Sequence, residues 1–336
     1  MNNLMLCLNL SRWFSTLLIL SSSMLSLMAV AQPKVCALYP HLKDSYWLSV
    51  NYGMVDEARK QHLELKVLEA GGYPSQLKQQ QQIKDCIAWG AQAILLGTVS
   101  PDGYHNDLSQ LTGDVPVFAI VNELILDDDQ RMHLKGGVGV DWYWMGYYAG
   151  DYLARLHPTG SGLTPIALLP GPEQRGGTKP MVQGFYDAIG HSDIRIAITL
   201  WADNDKELQR NLVQQAIEQP RIQYIVGSAV AIEAAISELR NANKQHQIQL
   251  VSTYLSHGVY RGLLRERVAF APSDKMVEQG RLSIRQAAHY LRGEAYERHA
   301  APEIAKLTPE TLDEQIIAES LSPSEFRPTF EVKVVE

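Results

Sequence analysis

A chain of 336 residues, 46% hydrophobic and 20% charged, exceeds the size at which one core keeps growing, so two lobes are expected. Its net charge of −7 and the absence of any Lys/Arg-rich run exclude nucleic acid and an anionic membrane surface as partners. Residues 1–31 read as an export signal. Arg12 gives a basic start, Leu17-Leu18-Ile19-Leu20 and Leu25-Ser26-Leu27-Met28 form an apolar core, and Ala29-Val30-Ala31 offers a small-x-small cleavage site. An uncleaved anchor is the alternative, but it needs about 18 unbroken apolar residues, and Ser21-Ser22-Ser23 interrupts the run. No later segment is long and apolar enough to span a bilayer, so cleavage leaves an exported chain starting at Gln32. Cys7 departs with the signal. Cys36 and Cys86 then either pair in an oxidising compartment or remain two separate buried thiols.

From Gln32 onward, strand and helix patterns alternate. Strand-like runs at 35–39, 65–69, 93–97 and 115–121 enclose helical patterns at 46–62, 75–89 and, more weakly, 104–111. After 137–141, the helix 143–156 opens a second series. Its strands are expected at 166–170, 195–201, 224–228, 250–254 and 268–270, and its helices at 178–189, 205–218, 231–241 and 257–265. A long helix at 274–293 precedes a proline-broken tail. Such alternation predicts an α/β protein with two doubly wound parallel-sheet lobes around a cleft.

Ligands of open α/β sheets bind at the carboxyl ends of the strands, so the residues there are the candidate site. The first strand ends at Pro40, and the next helix opens on Asp44-Ser45-Tyr46-Trp47. Asp44 is either the helix N-cap or a ligand contact. Tyr46 and Trp47 point about 100° apart on a helix, so both cannot face the core and at least one projects into the cleft. Gly71-Gly72 allows a tight exit that brings Tyr73 to the cleft, with an exposed turn tyrosine as the alternative. In the aromatic run from Trp142 to Tyr148, Trp144, Tyr147 and Tyr148 recur at the spacing of a packed apolar stripe. Trp142 stands at the helix mouth and is assigned to the site. Tyr254 closes another strand. Rings from several strand ends converging on one cleft make an aromatic cage, and each face attracts a quaternary-ammonium-like group by about 0.5–2 kcal/mol when desolvated. A tyrosine hydroxyl or an indole N–H can meet the ligand's negative end.

Other motifs are weaker. The glycine-rich turn at 169–179 lacks phosphate-loop spacing and reads as a structural or lobe-closing loop, with Arg175 within reach of the cleft. Asp203-Asn204-Asp205 fails the calcium-loop pattern, and a capping box of Asn204 with Glu207 accounts for it. No HExxH, CxxC or GxSxG pattern is present, so the sequence offers no metal, cofactor or nucleophile.

The segments Cys36-Ala37-Leu38-Tyr39-Pro40, Leu42-Lys43-Asp44-Ser45-Tyr46-Trp47 and Val67-Leu68-Glu69-Ala70-Gly71-Gly72-Tyr73 carry a resemblance to the type I periplasmic binding proteins. Ala93-Ile94-Leu95-Leu96-Gly97, Gln209-Arg210-Asn211-Leu212, Leu255-Ser256-His257, Val259-Tyr260-Arg261-Gly262-Leu263 and Phe326-Arg327-Pro328 extend it over nearly the whole exported chain. Within that family the chain is similar to the sensors of trimethylamine N-oxide that report to a histidine kinase. The resemblance implies three crossings between lobes, near 121–123, 272–274 and 298–302. One lobe then holds 32–122 plus 273–300, the other 123–272, and 301–336 forms a tail. It further implies a non-enzymatic periplasmic protein without cofactor or metal, which captures trimethylamine N-oxide with Asp44, Tyr46, Trp47, Tyr73, Trp142 and Tyr254. Its partner would be the periplasmic sensor domain of the kinase. Ala229 and Tyr254 occupy positions where sugar-binding relatives place polar contacts, which counts against a sugar. The rival readings are a transport receptor for a sugar or betaine-type solute and, in another class, a periplasmic oxidoreductase or hydrolase.

Overall fold

The computed structural model describes residues 32–173 and 176–333; the expected export signal and Arg175 lie outside them. β1 (Lys34–Tyr39) is buried throughout its apolar run, as a strand covered on both faces must be. It is followed by α1 (Ser45–Lys60), β2 (Glu64–Glu69), α2 (Gln76–Trp89), β3 (Ala93–Leu96), α3 (Leu108–Thr112), β4 (Val117–Ile120) and β5 (Leu134–Val138). The second series comprises α4 (Trp142–Leu156), β6 (Thr164–Gly171), α5 (Thr178–Ile189), β7 (Ile194–Trp201), α6 (Lys206–Glu218), β8 (Tyr224–Gly227), α7 (Ala229–Asn241), β9 (Gln249–Ser252) and α8 (His257–Leu264). The chain ends through β10 (Ala271–Ser273), α9 (Met276–Leu291), β11 (His299–Ala300), β12 (Ala305–Leu307), α10 (Glu314–Ser320) and β13 (Glu331–Val332).

Two main sheets result. A seven-stranded sheet has the order β11-β5-β4-β3-β1-β2-β13, and a four-stranded sheet the order β7-β6-β8-β9. Every pairing in them is parallel except that of β13 with β2. β10 and β12 form a separate antiparallel pair. The reversal of strand order on either side of β1 creates the switch point at which such sheets bind ligands. α9 returns to the seven-stranded side and lies directly on α1. A Cβ on Gly53 would stand 1.9 Å from the Val277 carbonyl oxygen, so only glycine lets the two helix backbones touch there.

Three features depart from the sequence reading. β5 belongs to the first sheet, so the chain passes to the second between Val138 and Trp142 rather than near 121–123. Gly136-Gly137 masks this strand, because glycine weakens a strand pattern; here Gly136 leaves room for the Gln286 side chain, 2.7 Å from where a Cβ would be. The run at 268–270 forms only a single bridge, Phe270 to Val251, and the chain extends instead as β10. The tail, read as proline-broken, contributes α10 and the edge strand β13.

Cys36 in β1 and Cys86 in α2 are joined by a disulfide across 50 positions of sequence, which settles the choice between a pair and two separate thiols. Both residues are fully buried beside Leu38, Ile83 and Ile94.

Candidate functional site

The loop after β1 delivers the first candidates. Asp44 is the N-cap of α1, its Oδ1 accepting from the Tyr46 and Trp47 amides at 3.1 and 3.4 Å. That cap fixes the first turn and so decides which way the two rings leave the helix. Trp47 turns inward: it is 1% exposed, stacks on Tyr39 at 5.2 Å between ring centroids, and presses so closely on Gly97 that a Cβ there would lie 2.5 Å from the indole. Burial pushes the Tyr39 hydroxyl well above its ordinary pKa, with a hydrogen bond from Asn51 as a smaller opposing effect, so this floor remains neutral.

Tyr46 leaves the helix in another direction and meets rings from two other strand ends, so both neighbours are buried, against the expectation that one of them projects into the cleft. Its centroid lies 6.1 Å from Trp142 and 5.8 Å from Tyr254, the latter edge to face. Trp142 and Tyr254 stand 6.1 Å apart at 84°. Trp142 follows β5 and Tyr254 follows β9, so both sheets contribute to one aromatic triangle, as edge-to-face rings at such separations prefer. All three rings are buried, at 3–5% exposure. Trp47 stands behind Tyr46 at 6.0 Å.

Asp274, just beyond β10, completes this group and is fully buried. Its Oδ2 accepts from the Tyr46 hydroxyl at 2.5 Å and from the Gln279 amide at 2.8 Å. A fully buried carboxyl group that accepts two fixed hydrogen bonds ties the aromatic group to the start of α9. The sequence reading placed residue 274 at a lobe crossing and did not include it in the site. The available signal was the one used for Asp44: an acidic residue at the end of an apolar strand.

The remaining candidates lie on adjoining walls. Asp44 and Tyr254 both line a cavity of about 180 Å³. Tyr73 packs edge-on against His41, at 5.4 Å, and lines a larger cleft of about 720 Å³ with Glu123, Trp201 and Asp203. The φ values of Gly71 and Gly72, 93° and 149°, provide the tight exit that brings Tyr73 there.

Trp142 is positioned by its surroundings as much as by its own helix. Its Nε1 reaches the Val121 carbonyl at 3.4 Å. Val121 has a φ of 62°, a costly conformation for a β-branched residue of the kind that gathers at functional sites. On the other side, a Cβ on Gly177 would meet the Trp142 ring at 2.8 Å. A Gly177→Ala substitution is therefore expected to displace the indole, altering the near-ultraviolet circular dichroism while the far-ultraviolet spectrum stays constant. An unchanged aromatic spectrum would mean that the ring does not rest on this glycine.

Two packing expectations are corrected. Trp144 is 44% exposed; it contacts Tyr143, Tyr147 and Tyr148 along the outside of α4 and is not part of a buried stripe. The N-cap of α6 is Asp205, which accepts from the Glu207 and Leu208 amides, rather than Asn204 in a capping box with Glu207. Among the described residues, no three His, Cys, Asp or Glu side chains are placed to hold a metal ion.

Two α/β sheets with a buried aromatic site between their strand ends describe a class of binding protein, and sequence comparison gives the family. The chain belongs to the periplasmic binding proteins and sugar binding domain of LacI family, matched over residues 32–328. It is 45% identical to Periplasmic protein TorT of Escherichia coli (strain K12) over 96% of this chain and 91% of that protein. It is also similar to two crystal structures of a TorS sensor domain–TorT complex. One is in the absence of ligand, at 65% identity, and one in the presence of TMAO, at 66%; each covers 89% of this chain and 100% of the other, with a TM-score of 0.86.

Proposed function

We propose that this protein is a periplasmic sensor that holds trimethylamine N-oxide between Tyr46, Trp142 and Tyr254 and reports its presence to the sensor domain of a TorS-type histidine kinase. The observation that carries the reading is the ring triangle closed by Asp274. The ligand has three methyl groups on a positive nitrogen, which favour ring faces, and an oxide oxygen, which needs a donor. A tyrosine hydroxyl or an indole N–H of these rings supplies that donor. Asp274 holds the Tyr46 hydroxyl, while Asp44 acts through the helix cap that orients Tyr46. Trp47 supports that ring from behind, and Tyr73 lines the approach. Similarity to TorT over 91% of its length supports the same reading.

Signalling needs no chemistry at the bound molecule. A ligand that contacts both sheets binds the closed arrangement better than the open one, and that difference shifts the population toward closure. Calorimetric titration of residues 32–336 with trimethylamine N-oxide, with ribose and glycine betaine as controls, tests the reading. Saturable heat with the N-oxide alone is expected. Heat with ribose alone would make the chain a sugar receptor, and heat with glycine betaine alone a receptor for betaine-type solutes.

A further inference from the structure

On one face of the molecule, three depressions meet at Arg261. The first, of about 380 Å³, lies among α6, α7 and α8 and is walled by Arg210, Arg265 and Arg267. The second, of about 510 Å³, is an apolar trough lined by Tyr52 of α1, Tyr260 of α8, Ile317 of α10 and Leu321. The third is the 180 Å³ cavity that also reaches Asp44 and Tyr254. Arg261 borders all three.

The charges on this face are unevenly satisfied. Arg210 is paired with Glu207 at 3.0 Å and Glu238 at 3.3 Å, and Arg281 at the rim of the trough with Asp56 at 2.9 Å. Glu233 faces the basic groove and accepts from the Ser256 hydroxyl. Arg261, Arg265 and Arg267 are exposed, and among the described residues none has a carboxylate partner. In a chain of net charge −7, three unpaired guanidinium groups beside an apolar trough form a local surface complementary to an acidic, partly apolar segment.

This face also spans the junction between the two halves. The His257 amide donates to the Ser45 hydroxyl at 3.3 Å, His257 Nε2 lies 2.7 Å from the Ser322 carbonyl, and the Ser322 amide donates to Ser49 at 3.1 Å. Tyr52 and Tyr260 form walls of the trough from opposite sides of that junction. A change in lobe closure alters their spacing, so a partner seated there senses whether ligand is bound.

We infer that this face docks the kinase sensor domain. A segment of that domain lays apolar side chains in the trough and sets carboxylates against Arg265 and Arg267. The inference rests on the sensor reading above and adds the surface that transmits the signal. The test measures binding of purified TorS sensor domain to residues 32–336, with and without trimethylamine N-oxide, for the parent, Arg265→Glu/Arg267→Glu and Tyr260→Ala. Each variant is expected to weaken sensor-domain binding by about tenfold or more, while calorimetric affinity for the N-oxide stays at the parent value. Sensor-domain affinity unchanged in both variants overturns the proposal. So does loss of binding in Trp144→Ala with none in these two, which moves docking to the exposed rings on α4. A parent that binds the sensor domain but not the N-oxide sinks the ligand reading alone, and the docking face is still judged by the variants.

Discussion

Replacing Trp142 by alanine is expected to weaken trimethylamine N-oxide binding by about 1–3 kcal/mol, a factor of 5 to 150. The loss has two sources: a ring face that attracts the methylated nitrogen disappears, and water gains entry to a site where the Tyr46 and Tyr254 rings are otherwise shielded. The same side chain is buried against Gly177 and Val121, so truncation also costs packing energy. Trp142→Phe separates the two effects, because it keeps an aromatic face and much of the volume. Calorimetry on both variants, with urea unfolding as a control, decides the matter. If the alanine variant remains folded and titrates like the parent, Trp142 is not part of the binding site.

The second large effect concerns the Cys36–Cys86 bond. Closing a loop of about 50 residues removes conformational entropy from the unfolded chain worth about 4 kcal/mol, on the chain-entropy account of disulfide stabilisation. Cys36→Ala/Cys86→Ala is therefore expected to lower unfolding stability by an amount of that order. The loss should be concentrated in the seven-stranded half, because β1 lies near the centre of that sheet and α2 covers it. The measurement is the urea midpoint of the parent with and without reductant, compared with the double variant. The site rings are outside this cysteine-containing cluster, so ligand affinity at low denaturant should be retained. A midpoint insensitive to both reduction and substitution would show that the bond adds nothing beyond what local packing supplies.

Much of the architecture was legible because parallel strands covered on both faces are continuous apolar runs, and Val35 to Tyr39 is such a run. β5 escaped notice because Leu134-Lys135-Gly136-Gly137-Val138 lacks that signature; its glycines serve the packing of Gln286 and not strand propensity. In the site, adjacency suggested that Tyr46 and Trp47 could not both be buried, yet both are, because rings from the other strand ends cover Tyr46 while Trp47 fills the gap at Gly97. Asp274 was hidden for a different reason. It lies 228 positions from Tyr46 in sequence, and only the return of α9 to the first sheet brings the two together. The aromatic repeat on α4 misled because a helical stripe of rings fits a buried face and an exposed one equally well.

β13 carries a consequence of its own. It runs antiparallel along β2 and occupies the last position of the seven-stranded sheet, with Val332 buried against the main core. Without those few residues, β2 would present a row of unsatisfied amides and carbonyls to solvent, a template on which a second molecule could add its own strand. With two paired residues, β13 covers part of that edge and itself ends the sheet as a strand too short to be a ready template.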